Sequence, residues 1–196
     1  MDNLLDDAFN EKPLNNNQNI FATFWTRVWA SMIDFLIIMP IVLPLMFYNM
    51  STWKSIPVLI VMTIIPPAYK IFMEYTYGAT WGKMAQRIVV VNYDLEKPSL
   101  EAIFLRNIVG IASGLVTFFS MLYAFSLPEF QDVEGFMAYG NFISKHPQLN
   151  TVNNIISLVF MLDVFMMLGD KQNRTYHDKI GKTYVVKRNR DRKSVV

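Results

Sequence analysis

The stretch FWTRVWASMIDFLIIMPIVLPLMF, residues 24–47, decides the fold of this chain. Only two of its side chains are ionisable, Arg27 and Asp34, and the others are mostly aliphatic or aromatic. A hydrocarbon core about 30 Å thick is crossed by roughly 20 apolar residues in a helix. A helix on a soluble core would instead carry a polar face, which this stretch largely lacks. We therefore predict that residues 24–47 form a transmembrane helix.

Three further apolar stretches lead to the same prediction. They lie at about residues 57–77, 102–127 and 152–168, the last being at the short end of the usual range. Of the 196 residues, 53% are hydrophobic and 17% charged, against about 45–50% and 25% in soluble domains. This composition argues against a soluble enzyme, a disordered chain and a fibrous rod. We predict an all-α membrane protein with a four-helix transmembrane bundle.

Basic residues are distributed unevenly among the connections, which predicts the orientation of the chain. Nine follow the fourth predicted span and three lie between the second span and Arg106, whereas the other two connections carry one each. Short loops rich in Lys and Arg remain cytoplasmic, so both termini are expected in the cytoplasm. The acidic, Asn-rich start does not resemble a secretory signal, so no cleaved peptide is expected. We expect the chain to be integral to a bacterial plasma membrane.

These patterns also predict the domain organisation. Residues 1–20 are expected to be a disordered cytoplasmic segment, residues 21–188 the transmembrane domain, and residues 189–196 a basic cytoplasmic tail. In the long outer loop, residues 128–150, helical spacing of Phe130 and Met137 predicts a short helix on the outer membrane surface. An irregular loop is the alternative for this segment.

Six ionisable side chains lie inside the predicted spans, where each costs about 2.5–3.5 kcal/mol to insert and is expected to pair inside the bundle. They are Arg27, Asp34, Lys70, Glu74, Arg106 and Asp163. In two neighbouring antiparallel helices, residue numbers increase with depth in one helix and decrease with depth in the other. Two residues that face each other at the same depth therefore have residue numbers that add up to the same total all along the pair. This rule predicts two ion pairs, Arg27 with Glu74 and Asp34 with Lys70. All six side chains would then form a neutral cluster.

Two interpretations of this predicted cluster remain open. It holds the helices in register, or it provides a polar site for a cation or protons. In the second case Asp34 and Asp163 would supply oxygen ligands or a titratable pair, and Lys70 would adjust their charge. A separate pattern, Gly110-x-x-x-Gly114, predicts close packing between helices.

Two short segments outside the spans predict a small sheet. Residues 87–92 and 183–186 are rich in β-branched side chains and too short to cross a membrane. A lone strand would leave its backbone groups unpaired, so we predict that the two pair with each other on the cytoplasmic side. We interpret His177-Asp178, just before the second strand, as a hydrogen-bonded turn rather than a metal or acid–base pair.

Several motifs, taken in order, resemble the RDD family of membrane proteins. They are Arg27 and Asp34, Gly78-Ala79-Thr80-x-Gly82-Lys83 followed by Ile88-Val89-Val90-Val91, Pro98-Ser99, Leu105-Arg106-Asn107, and His177-Asp178 followed by Thr183-x-Val185-Val186. The family is named for one arginine and two aspartates, which the match places at Arg27, Asp34 and Asp178. Many members have Ala-Gly where this chain has Gly181-Lys182. The resemblance implies a multi-pass membrane protein in a family that is thought to include transporters, with cation/proton antiport proposed for some members.

The sequence therefore leads to two functional hypotheses. The first is transport of a cation or small solute coupled to protons, with a homo-oligomer completing the pathway. The second is a non-transporting assembly or adaptor module with a structural charge cluster and a membrane protein partner. An enzyme is not expected, because no nucleophile–base constellation is present. With no cysteine and two histidines, neither a metal site nor a cofactor is expected. The basic residues of the tail are explained by its expected position on the cytoplasmic side of the membrane. Nucleic acid is therefore not an expected partner.

Overall fold

A computed structural model describes residues 20–188 of the chain. The predicted disordered segment, apart from its last residue, and the predicted basic tail lie outside the described residues. Four helices in this range are long and apolar enough to cross a membrane: α1 (Phe24–Tyr48), α2 (Ile56–Tyr77), α4 (Leu100–Ser126) and α6 (Pro147–Gly169). The prediction of four long apolar helices is confirmed. The largest shift in a boundary is at α6, which begins at Pro147 rather than near residue 152, because proline is well suited to the first turn of a helix.

Shorter elements connect the four long helices. A π-helical segment, Asn49–Trp53, continues α1, and a 3₁₀ helix covers Pro128–Asp132. The remaining short helices and strands are α3 (Trp81–Ala85), β1 (Ile88–Asn92), α5 (Gly135–Lys145), α7 (Tyr176–Ile180) and β2 (Thr183–Lys187). The described chain divides into two compact units.

The first unit contains the sheet. Within the described residues it comprises 20–35, 70–108 and 163–188. Strands β1 and β2 pair antiparallel, with Ile88 opposite Lys187 and Asn92 opposite Thr183, so the predicted strand pairing is confirmed. The chain before α1 adds a short third row, because the Ala22 N–H donates to the Val185 carbonyl at 2.8 Å.

The core of the first unit lies where the sheet meets the helices. Its members are all buried hydrophobic side chains: Ala22, Ala30, Ile88, Val90, Ile103 and Val185. β1 is buried along its first four residues, whereas β2 alternates between buried and partly exposed positions. Because successive side chains of a strand point to opposite faces, burial of four consecutive residues means that both faces of β1 are covered.

The second unit, Leu36–Tyr69 with Val109–Leu162, has its own core around Phe130 and Phe142. The expected short helix is present as α5, but Phe130 precedes it in the 3₁₀ helix. Phe130 is fully buried against Phe142, with ring centroids 5.0 Å apart, whereas Met137 is 84% exposed. The prediction of a short helix is correct, and the assignment of Phe130 to the same helical face as Met137 is wrong.

The glycine pair of α4 also belongs to the second unit. A Cβ atom built on Gly110 would meet nothing within 4 Å among the described residues, and one on Gly114 would lie 3.8 Å from the Thr63 methyl group. The close helix packing predicted from the Gly110-x-x-x-Gly114 pattern is therefore wrong at Gly110, and Gly114 makes only an ordinary van der Waals approach. The reason is that the pattern permits a close contact but does not bring a neighbouring helix to it.

The turn between α7 and β2 adopts a conformation that favours glycine. Lys182 has φ +50°, in the left-handed region that glycine adopts without steric cost. Its neighbour Gly181 lies against α4, where an added Cβ would be 2.7 Å from the Arg106 Cβ atom. Gly181 thus stands where the chain contacts α4 closely, and Lys182 stands at the position with the left-handed backbone conformation.

Lys182→Gly is expected to raise the free energy of unfolding by about 0.5–1 kcal/mol. Relief of the left-handed conformation gains about 1–2 kcal/mol, and the greater freedom of glycine in the unfolded chain offsets part of this gain. Thermal unfolding in detergent would measure the effect. Lys182→Ala, which removes the same side chain without relieving φ, should bring no comparable gain, and a gain from both variants would refute the explanation.

Candidate functional site

Five ionisable side chains of the first unit form one network, called the ionic cluster below. They are Arg27 of α1, Glu74 of α2, Lys83 of α3, Arg106 of α4 and Asp178 of α7. Both carboxylate side chains are fully buried, and the most exposed of the cations, Lys83, is 11% exposed. The cluster thus joins helices that are far apart in sequence.

Asp178 is the acceptor at one end of the ionic cluster. Arg27 Nη1 donates to Asp178 Oδ2 at 2.5 Å, and Arg106 Nη1 donates to Oδ1. Asp178 also caps its own helix, since its carboxylate accepts the Thr175 N–H at 3.0 Å while the Thr175 hydroxyl accepts the Asp178 N–H. Burial alone would raise the pKa of Asp178, but the charges of Arg106 and Arg27 hold it well below its usual range. The predicted hydrogen-bonded turn at this position is confirmed, and its aspartate also binds two arginines.

Glu74 is the acceptor at the other end of the cluster. Lys83 Nζ donates to its Oε1, and Arg106 Nε lies 3.3 Å from its Oε2. The Asn107 amide, also buried, donates to Oε2 at 3.3 Å. Burial lowers the pKa of Lys83 to about 8, against the opposing influence of the Glu74 charge. Arg106 therefore bridges the two carboxylates, and its Nη1 additionally donates to the Thr183 hydroxyl of β2 at 2.8 Å.

Asp34 has a different role from its predicted pair with Lys70. Its carboxylate accepts hydrogen bonds from the Thr80 hydroxyl at 2.6 Å and from the Gly82 N–H at 2.8 Å. A Cβ atom on Gly82 would lie only 2.0 Å from the Ala30 carbonyl oxygen, so glycine is required for this approach. Asp34 therefore fixes the turn that leads into α3 against α1. Lys70 is exposed.

Asp163 of α6 pairs with His177 of α7. His177 Nδ1 lies 2.9 Å from Asp163 Oδ2, and the Tyr176 N–H donates to Asp163 Oδ1 at 2.8 Å. The two side chains are partly exposed, 17% for Asp163 and 24% for His177. Burial chiefly lowers the pKa of His177, although the hydrogen bond to Asp163 opposes this change.

The structure corrects the partners predicted for the charges. The predicted Arg27–Glu74 pair is wrong, because Arg27 binds Asp178 while Glu74 binds Lys83 and Arg106. The depth rule applies to neighbouring spans only and takes no account of short segments that fold back against them. For this reason the rule does not include Lys83, which lies in the short helix α3 and not in a span. The one sequence feature that draws attention to Lys83 is its position at the end of the motif Gly78–Lys83.

The site contains no assembly of ligands for a metal ion. Within residues 20–188, no group of three or more His, Cys, Asp or Glu side chains could hold one. The charges instead neutralise one another, with Arg27, Lys83 and Arg106 close to Glu74, Asp178 and Asp163. The ion pairs thus connect α1, α2, α3, α4 and α7 of the first unit to one another.

Comparison with known proteins identifies the family. The sequence model of the RDD family matches residues 21–182. No curated protein and no solved structure matches the chain. The matched region contains the whole ionic cluster and the Asp34 turn, and it includes the four apolar helices. Because the match covers well over half of the chain, this multi-pass membrane protein belongs to the RDD family.

Proposed function

We propose that this protein is a membrane assembly or adaptor module in which the ionic cluster is structural. The main support for the proposal is that the carboxylates of Glu74 and Asp178 are already paired with cationic side chains of the same chain. Each of these fully buried carboxylates is engaged by two cationic side chains and at least one neutral N–H donor. The module would present a fixed surface to a membrane protein partner or to a second copy of the chain.

The energetics of buried charges support a structural role. Removing one partner of a buried ion pair leaves an uncompensated charge and costs about 3–5 kcal/mol. A transported cation that used Glu74 or Asp178 as a ligand would have to displace Lys83 or an arginine and meet this cost. Asp34 is similarly engaged, since it accepts hydrogen bonds from Thr80 and Gly82. The geometry therefore favours carboxylates that keep their present partners over carboxylates that release them to bind a transported cation.

Transport of a cation or small solute coupled to protons is the second candidate. The Asp163–His177 pair favours it, because both side chains are titratable and partly exposed. In this case Asp34 and Asp163 would bind the ion or proton, as the sequence predicts, and a homo-oligomer would complete a pathway for which four helices are few. Neither candidate involves an enzymatic reaction or nucleic acid.

The proposed setting is a bacterial plasma membrane with both termini in the cytoplasm. The loop charges support this orientation, because the segment after α6 carries nine basic residues. The basic residues at 189–196 would lie close to anionic lipid, where each contributes about 1 kcal/mol. Lipid contact would therefore add to the partner-binding surface of the proposed module.

Flux measurements distinguish the two candidates. In proteoliposomes of the purified full chain, we expect Na⁺, K⁺ and H⁺ fluxes no greater than in protein-free vesicles. Asp34→Asn should behave in the same way, and its thermal unfolding should show whether the protein is intact. A flux in the unmodified protein that Asp34→Asn abolishes without unfolding the protein would favour transport and refute the module.

Truncation of residues 189–196 provides a second comparison. An adaptor should lose partner binding when the basic tail is removed, whereas a transporter should still move its substrate. The partner-binding readout is crosslinking between copies or to neighbouring membrane proteins in native membranes, compared with the full chain. Unchanged crosslinking together with a retained ion flux would contradict the proposed module.

A further inference from the structure

We propose that α3 and the adjoining end of the sheet form a surface that binds anionic phospholipid. The exposed face of α3 enters the leaflet beside the first unit, and a basic patch next to it contacts the phosphates of the lipid headgroups. In the orientation proposed above this is the cytoplasmic leaflet. The inference rests on the geometry of the first unit and on membership of a membrane protein family, so it applies equally to an adaptor and to a transporter.

Helix α3 is fixed against the side of α1. The Thr80 hydroxyl and the Gly82 N–H both donate to the Asp34 carboxylate. Gly82 also lies so close to α1 that an added Cβ would be 2.0 Å from the Ala30 carbonyl oxygen. Ala30 and Asp34 are six and ten residues after Phe24, where α1 begins, so they lie about 9 and 15 Å along its axis. Helix α3 is therefore beside the body of α1 and not beyond its end.

The sequence of α1 places the edge of the hydrocarbon core at the same level. After Asp34 the chain carries no charged side chain until Lys54. The 19 residues between them would cover about 28 Å as a helix, close to the thickness of a hydrocarbon core. The part of α1 that crosses the core therefore begins near Asp34. Because Asp34 holds the turn that leads into α3, α3 lies at this boundary.

The outer face of α3 has the side chains of a membrane-surface helix. Trp81, Met84 and Ala85 are spaced as neighbours on one helix face, and all three are exposed, whereas Gly82 is buried against α1. Trp81 is also the one exposed residue of the motif Gly78–Lys83. An apolar face of this kind enters the boundary between headgroups and acyl chains, and tryptophan is enriched at that depth.

Two further tryptophans support this level for the membrane surface. Trp25 and Trp29 of α1 lie four residues apart, hence on one face of the helix, and both precede Asp34. Each is more than half exposed, as is Trp81. Three of the four tryptophans of the chain thus lie exposed in the first unit, at or before the point where the uncharged part of α1 begins.

Three basic side chains meet at the end of the sheet next to α3, and they are called the basic patch below. They are Arg87, Lys187 and Arg188. Ile88 pairs with Lys187, and the Arg188 N–H donates to the Arg87 carbonyl at 2.8 Å, which brings the three together two residues after the end of α3. All three side chains are exposed, and none forms an ion pair with another described residue.

The basic patch keeps its charge available for an anionic ligand. The nearest acidic residues in sequence, Asp94 and Glu96, follow β1 at its opposite end, and the five residues of β1 separate the two ends by about 14 Å. Because α3 places the patch at the membrane surface, the anions within its reach are phospholipid phosphates. Anionic leaflets attract basic residues that lie next to a membrane span, so the charge of the patch is complementary to such a surface.

The depth of a spin label tests the position of α3. The chain has no cysteine, so one introduced cysteine gives one nitroxide label. In nanodiscs of phosphatidylcholine and phosphatidylglycerol, a label on Met84→Cys should collide mainly with oxygen, which concentrates in hydrocarbon, and little with a water-soluble nickel chelate. Its oxygen-to-nickel ratio should exceed that of Asp94→Cys, in the exposed turn after β1, by several-fold. Phe72→Cys, at an exposed position of α2, is the reference for a lipid-facing site.

Two results of this measurement would overturn the inference. A Met84→Cys label as accessible to nickel as the Asp94→Cys label would place α3 in water. A label shielded from both reagents would mean that a second copy or a partner protein covers α3. Ala85→Cys lies on the same face and repeats the measurement if Met84→Cys does not fold.

Lipid selectivity tests the basic patch. In native mass spectrometry of the full chain, Arg87→Gln should lower the affinity for phosphatidylglycerol relative to phosphatidylcholine by about fivefold, the effect of one basic residue near an anionic surface. Lys145→Gln removes one exposed positive charge from α5 in the second unit and should leave this ratio unchanged. Equal effects of the two variants, or no effect of Arg87→Gln, would refute a site at the basic patch. Neither measurement involves ion flux or partner crosslinking, so its failure is distinct from a failure of the proposed function.

Discussion

Asp178→Asn is expected to lower the free energy of unfolding by about 3–5 kcal/mol, the cost of removing one partner from a buried ion pair. The substitution preserves the shape of the side chain but removes the charge that Arg27 and Arg106 share. Asn also presents an N–H₂ group where one of the arginines requires an acceptor. Both guanidinium groups are buried, with Arg27 8% and Arg106 3% exposed, so water cannot readily replace the lost partner. Denaturation by SDS or heat in mild detergent would measure the loss.

Asp94→Asn is the matched control for this experiment. Asp94 lies in the exposed turn after β1, and the same chemical change there is expected to alter stability by less than about 0.5 kcal/mol. A small effect of Asp178→Asn, similar to that of the control, would mean that the ionic cluster contributes little to stability. The structural interpretation of the cluster would then be wrong, and with it the main support for an assembly module.

Gly82→Ala is expected to destabilise the first unit by about 3 kcal/mol or more, at the upper end of the range for overpacking. The new Cβ would lie 2.0 Å from the Ala30 carbonyl oxygen and 2.9 Å from the Asp34 Cγ atom. The first of these atoms belongs to the backbone of α1 and cannot rotate away. To relieve the overlap, α3 would have to move away from α1, which would also break the hydrogen bond from the Gly82 N–H to Asp34. Thermal unfolding and the yield of folded protein in detergent would report the effect.

Gly110→Ala is the control that separates steric overlap from helix propensity. Gly110 lies inside α4, where an added Cβ meets nothing within 4 Å among the described residues. The expected result is therefore a gain of about 0.5–1 kcal/mol from the greater helix propensity of alanine. If Gly110→Ala were as damaging as Gly82→Ala, Gly110 would have to contact another copy or partner. The packing role predicted from the glycine pattern would then be restored.

The membrane helices could be predicted from the sequence because the bilayer imposes a requirement on each segment separately. A span must be apolar over about 20 residues, and a backbone in lipid must satisfy its own hydrogen bonds. Neither condition depends on which other segment is nearby. The pairing of β1 with β2 was predictable for a related reason, since two short strands with unpaired backbone groups have few alternatives.

The ionic cluster was predictable only in part. Placing an unpaired charge inside a membrane costs free energy, so Arg27, Glu74 and Arg106 are expected to have partners of opposite charge. The structure shows all three in ion pairs. Which partner each charge takes depends on the rotation of each helix about its axis and on the short segments that connect the spans. The rule used for the sequence considers only how deep each residue lies along its span, so it contains neither kind of information. Lys83 and Asp178 come from such segments, and both accordingly fell outside the predicted pairs.

The sequence by itself determined that this chain has four apolar spans, a pair of short strands and charges that must pair within the helices. It did so because hydrophobic length, strand propensity and the cost of an unpaired charge are properties of local segments. Only the tertiary structure decided that Asp178 binds two arginines, that Asp34 holds the Gly82 turn and that His177 meets Asp163. Such contacts join residues up to 151 positions apart, and their distances are set by how the segments fold against one another.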